Sequence, residues 1–235
     1  MPDSQRFRQV KQEKKTQLTE IKAKELLKEA GIPVIETKLA RTKKEAISLS
    51  RIMGFPVVLK IASPEIIHKS DSGGVKLQLT NVTQVGKAYS EIMSSIRQNL
   101  SRVRIEGVSV QKMARPGVEV IVGMSQDAQF GPVLMFGLGG ILVEVLKDVS
   151  FRIVPVTRRD ASEMIREIKG YSLLQGYRGQ ESVDISSLEQ IIVKVSGFVE
   201  QSPQIKELDL NPIFAYKDGA VVVDARIILE ASTKY

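Results

Sequence analysis

Two kinds of apolar periodicity alternate along this chain, and their order is what most constrains its fold. Spacings of three and four residues predict helices over 18–29, 43–53, 81–100, 159–169 and 186–200. Short alternating or continuous apolar runs predict strands at 34–37, 57–61, 75–79, 108–112, 118–124, 133–136, 153–156, 205–210 and 220–224. Strands repeatedly follow strands, so the helices do not serve as regular crossovers between parallel neighbours. That order implies an α+β fold rather than a doubly wound sheet. Local signals mark the boundaries. Gly31 and Pro33 stop the first helix, Thr42 and Asn81 can cap the second and third, and Lys217-Asp218-Gly219 makes the last turn. With 235 residues the chain can build one large domain or two closely associated subdomains.

Composition removes several classes of chemistry. The chain has no cysteine, which excludes disulfides, thiolate metal sites and cysteine nucleophiles, and fits a cytoplasmic protein. No apolar run approaches the roughly 18 residues of a membrane span, and the N-terminus shows no signal-peptide pattern. The net charge of +7 attracts phosphates. Aromatic residues are only 5% and Trp is absent, so the stacking surface expected of a nucleic-acid binder is not encoded. The one concentrated basic run, Arg6, Arg8, Lys11, Lys14 and Lys15, lies in an aperiodic segment, 1–16, that reads as a solvated tail or a docking segment. The dinucleotide glycine pattern is broken: Gly137 and Gly139 fit it, but Leu142 stands where its third glycine belongs.

Three segments could carry chemistry. In the first, the strand Val57-Val58-Leu59-Lys60-Ile61 leads into a loop with Ser63, His68, Ser70, Asp71, Gly73 and Gly74. A lysine on such a strand can meet a phosphate as a point charge, although alone it also reads as an edge lysine that deters aggregation. His68 is the sole histidine. Alone it reads as a structural residue after Ile66-Ile67. Its polar loop and the preceding lysine make it a candidate phosphorus nucleophile. In the second, strand alternation places Glu207, Asp209 and Asn211 on one face and Leu208 and Leu210 on the other, with Asp224 ending the next strand. Such an oxygen-donor stripe suits magnesium, which takes few protein ligands. A solvated strand face is the alternative. In the third, Gln111-Lys112-Met113, the turn Ala114–Gly117 and a strand bearing Glu119 could grip a ring by main-chain atoms.

Together these segments resemble one family. The runs Gly54–Lys60, Ser63–Asp71, Gly73–Val75, Gly137–Arg152 and Glu207–Pro212 are similar to the beta subunit of archaeal ADP-forming acetyl-CoA synthetases, and the likeness extends over about residues 18–230. The resemblance implies an ATP-grasp fold of two subdomains closing on ATP or ADP. It implies conversion of acyl-CoA, ADP and phosphate into free acid, CoA and ATP. Val58 and Lys60 would meet the nucleotide, Gln111, Lys112 and Met113 would edge the adenine, and Glu119 would face the ribose. Asn211 and Asp224 match metal ligands of the related succinyl-CoA synthetase beta subunit, with Mg2+ as the ion. His68 matches a second phosphoryl-carrying histidine. Asp209 matches a carboxylate that steadies a docked phosphohistidine and is Glu in the related synthetase.

The expected division is a tail at 1–16, a first subdomain at 17–110 with the His68 loop, and a second at 111–235 with the metal-binding strands. The CoA-binding half of such an enzyme is not encoded here. The resemblance therefore implies an alpha subunit carrying the first phosphohistidine, in an α2β2 assembly. The rival readings are a succinyl-CoA synthetase-like beta subunit, a basic nucleic-acid-binding module and an inactive ATP sensor.

Overall fold

The computed structural model describes residues 17–66, 69, 72–99, 103–140, 147–177, 179 and 181–230. Its elements are α1 (Glu20–Glu29), β1 (Thr37–Ala40), α2 (Lys43–Met53), β2 (Val57–Ala62), β3 (Val75–Leu79), α3 (Val82–Asn99), β4 (Gly107–Lys112), β5 (Val118–Asp127), β6 (Gly131–Leu138), β7 (Val149–Ile153), α4 (Arg158–Glu167), α5 (Tyr171–Leu174), α6 (Ile185–Glu200), β8 (Ile205–Tyr216), β9 (Gly219–Val222) and β10 (Arg226–Leu229). Every pairing within its two sheets is antiparallel, as the α+β reading requires. No described helix is long and apolar enough to cross a membrane.

The chain divides into two compact units. The small unit is Thr19–Lys22 with Ile35–Arg115, and the large unit contains Ala23–Val34 and the described residues from Pro116 onward. The division thus falls at Arg115/Pro116, inside the turn that follows Met113. Gln111–Met113 lie in the small unit because β4 is a central strand of its sheet.

In the small unit the strand order is β1-β4-β2-β3. Val57, Leu59 and Ile61 of β2 and Val108 and Val110 of β4 pack with Val85, Ile92 and Ile96 of α3 and Ala46 of α2. Burying a side chain of this size contributes about 1.5–3 kcal/mol. The caps read from sequence form. Glu45 N donates to Thr42 Oγ1 at 3.1 Å, and Gln84 N donates to Asn81 Oδ1 at 2.9 Å.

In the large unit the order is β10-β8-β5-β6-β7, with β9 also paired to β8. Leu208, Leu210, Val122, Met124, Leu134 and Phe136 share a core with Met164 and Ile165 of α4 and Leu188, Ile192 and Val195 of α6. Thr157 and Asp160 form a reciprocal capping box at the start of α4. The strand expected at 153–156 lies earlier, at Val149–Ile153. After Val154-Pro155 the chain turns to enter α4, and a proline cannot extend a ladder. Two elements have no counterpart in the sequence reading, the single-turn α5 and the last strand β10. β10 is visible only through its pairing with β8.

Candidate functional site

Three candidate residues of the small unit, Val58, Lys60 and Gln111, share one sheet face. Val58 pairs directly with Gln111, and Lys60 with Ser109. Strand alternation puts these four on the face away from the α2/α3 core, which Val57, Leu59, Ile61, Val108 and Val110 fill. All four are buried, with Lys60 only 6% exposed. Thr37 on the neighbouring β1 donates its hydroxyl to Gln111 Oε1 at 3.4 Å and to Ile35 O at 3.1 Å, which fixes the amide in place. Lys112 pairs with Val57, so its exposed side chain leaves the opposite face, while Met113 N donates to Pro56 O at 2.9 Å and ends the ladder.

A buried ammonium needs a counter-charge, because leaving an ion unpaired in the interior costs several kcal/mol. Lys60 Nζ donates to Glu20 Oε1 at 2.9 Å, and Lys69 Nζ donates to Glu20 Oε2 at 2.7 Å. Glu20 is itself 7% exposed, so one carboxylate is shared by two ammonium groups. The sequence reading missed Glu20. An acid in the first turn of a helix ordinarily reads as a partner for the helix dipole, and nothing local marks it as the partner of a lysine 40 residues away. His68, adjacent to Lys69 in sequence, lies outside the described residues.

The large unit holds the oxygen donors. β8 is paired on one side by β9 at Ile213–Tyr216 and by β10 at Ile205–Asp209. Between these partners the chain from Val223 to Ala225 leaves the ladder, held by one bond from Val223 N to Pro212 O at 2.9 Å. On the other side of β8 the register with β5 shifts between Val120 and Val122, so Asn211 and Pro212 together face Ile121. This is a β-bulge, the device by which strands re-aim side chains at sites. It interrupts pairing where Asn211 sits, and the strand break opposite brings in Asp224. Asn211 is exposed and Asp224 half-buried. Asp224 Oδ1 accepts from Ala225 N at 2.9 Å.

Asp209 lies two residues before Asn211, opposite Gly123 on β5 and Arg226 on β10. Its carboxyl is pushed above the usual carboxylate range. Burial is the main cause and the charge of Asp224 adds to it, while the Arg226 guanidinium, 3.9 Å away, pulls the other way. Arg226 is the second residue the sequence reading missed, because β10 itself went unrecognised. Glu119, at the start of β5, is exposed and packs against the glycine pair after β6. A Cβ on Gly139 would stand 3.0 Å from Glu119 Cβ, and one on Gly140 3.1 Å from its Oε2. Glycine eases this approach at 139 and suits the positive φ of 65° at 140, and Gly139 N donates to Glu119 O at 2.7 Å.

Chemically, the small unit offers a buried lysine and a half-buried one that share a carboxylate, an arrangement suited to phosphate oxygens. The large unit offers an amide and two carboxylates suited to a hard cation. Among the described residues there is no cluster of three or more His, Cys, Asp or Glu fit to cage a metal.

A family model described as an ATP-grasp domain matches residues 9–229. The acetate–CoA ligase [ADP-forming] I subunit beta of Pyrococcus furiosus is 54% identical over 212 residues, 90% of this chain and 91% of that one. The dinucleotide-forming acetyl-coenzyme A synthetase 1 of Ca. Korarchaeum cryptofilum, in complex with coenzyme A, Ca-AMPCP and HgCl+, superposes with a TM-score of 0.93 at 47% identity, covering 95% of this chain and 98% of that chain. The same enzyme with coenzyme A and Mg-AMPPCP, its phosphohistidine segment pointing towards the nucleotide binding site, gives a TM-score of 0.85 at 45% identity, covering 96% of this chain and 99% of that chain.

Proposed function

Because the chain belongs to the ATP-grasp family of ADP-forming acetate–CoA ligase beta subunits, we propose that it is the nucleotide-binding subunit of an ADP-forming acyl-CoA synthetase. The reaction converts acyl-CoA, ADP and phosphate reversibly into acid, CoA and ATP. The observation that carries this reading is the extent of the match, which runs through nearly the whole of both chains at 54% identity.

The residues divide the work by their chemistry. Lys60 contacts the nucleotide phosphates, Val58 lines the nucleotide site, Gln111–Met113 edge the base, and Glu119 faces the ribose. Lys60 supports this role by being a buried cation on a strand whose other face is wholly apolar. Asn211 and Asp224 fit magnesium, since both present oxygen donors beside the bulge of β8, where its pairing with β5 and β9 is interrupted. When bound, magnesium supplies neutralising charge to the phosphates, which is most of what phosphoryl transfer requires. Asp209, whose carboxyl holds its proton more tightly than usual, accepts a hydrogen bond from an incoming phosphohistidine imidazole and orients it.

His68 is the second station of a phosphoryl relay. The first is a histidine of an alpha subunit that also binds CoA and acid, in an α2β2 assembly. The subunit designation of the Pyrococcus relative, of which this chain spans 91%, supports the separate partner. His68→Ala in the complex with an alpha subunit is expected to abolish ADP-dependent acid release from acyl-CoA while leaving nucleotide binding intact. Unchanged turnover would remove His68 from the relay.

A further inference from the structure

β10 pairs with β8 so that Arg226 stands directly opposite Asp209. Burial alternates along this stretch: Val223, Ala225 and Ile227 are buried, while Asp224 and Arg226 between them are half-buried. Arg226 therefore shares one face with Asp209 and Asp224. Its guanidinium carries five N–H donors and no acceptor. Its Nη2 is 3.9 Å from Asp209 Oδ2, near enough for charge attraction but beyond a hydrogen bond. Among the described residues no hydrogen bond reaches either the guanidinium or the Asp209 carboxyl. Arginines that brace helices of the same unit differ. Arg158 Nε donates to Glu189 Oε2 at 3.1 Å, and Arg159 Nε donates to Glu163 Oε1 at 3.0 Å. The Arg226 side chain is 37% exposed against their 70% and 88%, yet no carboxylate engages its donors. A half-buried guanidinium with unused donors offers them to an anion entering the site, and its planar fork matches phosphate oxygens.

We propose that Arg226 is a catalytic residue whose guanidinium holds the oxygens of the phosphoryl group transferred to ADP. Two residues of extended chain span at most about 7 Å, so Asp224 and Arg226 can serve one polyphosphate. Arg226 also faces Asp209, the residue assigned to the incoming phosphohistidine, so the phosphate beside it is the one in transfer rather than those ADP already carries. In that step the N–P bond of the phosphohistidine breaks and its electron pair returns to the ring nitrogen. A terminal β-phosphate oxygen of ADP forms the new P–O bond. The donor ring keeps the hydrogen on its other nitrogen and leaves as neutral imidazole, so no further proton moves. Charge spreads over the three phosphoryl oxygens in the transition state, and a fixed guanidinium beside them neutralises it without reorganisation. The inference rests on the assignment of Asn211 and Asp224 to the magnesium-bound nucleotide and deepens it by naming what holds the phosphate in transfer.

ADP lacks that phosphate, and a β,γ-methylene analogue of ATP has it. Binding of Mg-ADP and of Mg-AMPPCP to the full chain is measured by titration calorimetry for the parent and Arg226→Met, both confirmed as folded by circular dichroism. Arg226→Met is expected to weaken Mg-AMPPCP by roughly tenfold or more, the scale of a charge-assisted hydrogen bond, and to leave Mg-ADP within about twofold of the parent. In the complex with an alpha subunit, single-turnover ATP formation from the phosphorylated enzyme and Mg-ADP is expected to slow by roughly a hundredfold or more. An ion pair that only holds β8 and β10 together predicts equal effects on the two nucleotides. Equal losses, unchanged binding of both, or an unchanged transfer rate each overturns the inference. A parent chain that binds neither nucleotide overturns the underlying nucleotide reading, and this inference with it. If Arg226→Met does not fold, Arg226→Gln replaces it and is held to the same outcomes.

Discussion

Adding a single methyl group at Gly74 tests how the His68 loop is rooted. Gly74 N donates to Lys69 O at 2.8 Å, and Ile61 N donates to Gly74 O at 2.7 Å, so this residue both closes the loop and hands it back to the sheet. A Cβ there would stand 2.6 Å from Ile61 Cγ2 and 2.9 Å from Lys69 O. Both are well inside the about 3.5–4.0 Å at which carbon contacts are favourable. Neither neighbour can give way cheaply. Ile61 is β-branched, 1% exposed and locked in the small unit's core, and the other atom is backbone. Overpacking of this kind costs about 1–3 kcal/mol. The Gly74→Ala chain is therefore expected to unfold at lower urea, by an amount equivalent to about 1–3 kcal/mol. Far-UV circular dichroism reads this, since the protein has no Trp. Turnover in the complex should fall more than ADP affinity, because the displaced backbone at Lys69 adjoins His68 in sequence. Ile61→Ala in the Gly74→Ala background removes the clashing methyl, so the two changes should couple by at least about 0.5 kcal/mol. An unchanged urea midpoint together with parental turnover would refute the packing argument.

Three further outcomes are expected. Asp224→Asn should raise the magnesium concentration needed for half-maximal nucleotide binding by roughly tenfold, as expected for losing a charged oxygen ligand; a parental magnesium titration would exclude Asp224 as a ligand. Arg226→Met removes the one neighbour that lowers the Asp209 pKa, so that pKa should rise further. A native carboxyl titrating above its unfolded value stabilises the fold fully below that unfolded value and loses the contribution as pH rises through the native one. Relative to the parent, the variant's urea midpoint should therefore fall with rising pH over a window reaching further above about 3.9, the ordinary Asp value; a pH-independent difference would contradict this. Ser196→Ala strips the buried Val156 N–H of its acceptor at 2.7 Å and should cost about 1–3 kcal/mol in chemical denaturation, the desolvation penalty of an orphaned donor.

Several of these sites could be seen in the sequence and several could not. Alternation alone put Asp209 and Asn211 on the face opposite Leu208 and Leu210, and the burial pattern of β8 agrees because a strand's side chains must alternate. What alternation could not show was the bulge at Asn211, which depends on how many residues of β5 lie opposite. β10 was missed because Arg226–Leu229 is four residues long and becomes a strand only by pairing with β8.

The sequence by itself determined whatever is decided within a few residues: the caps at Thr42 and Asn81, the helix Lys43–Met53, the lysine on β2 and the mixed α+β order. Those signals are local because hydrogen bonds from i to i+3 and side-chain periodicity need no distant partner. Only the tertiary structure decided that Glu20 pairs with Lys60 and Lys69, 40 and 49 residues further on, and that Arg226 stands against Asp209. Charge attraction between groups brought together by folding leaves no periodic trace along the chain. The residues that tune the candidate site therefore came into view only with the fold.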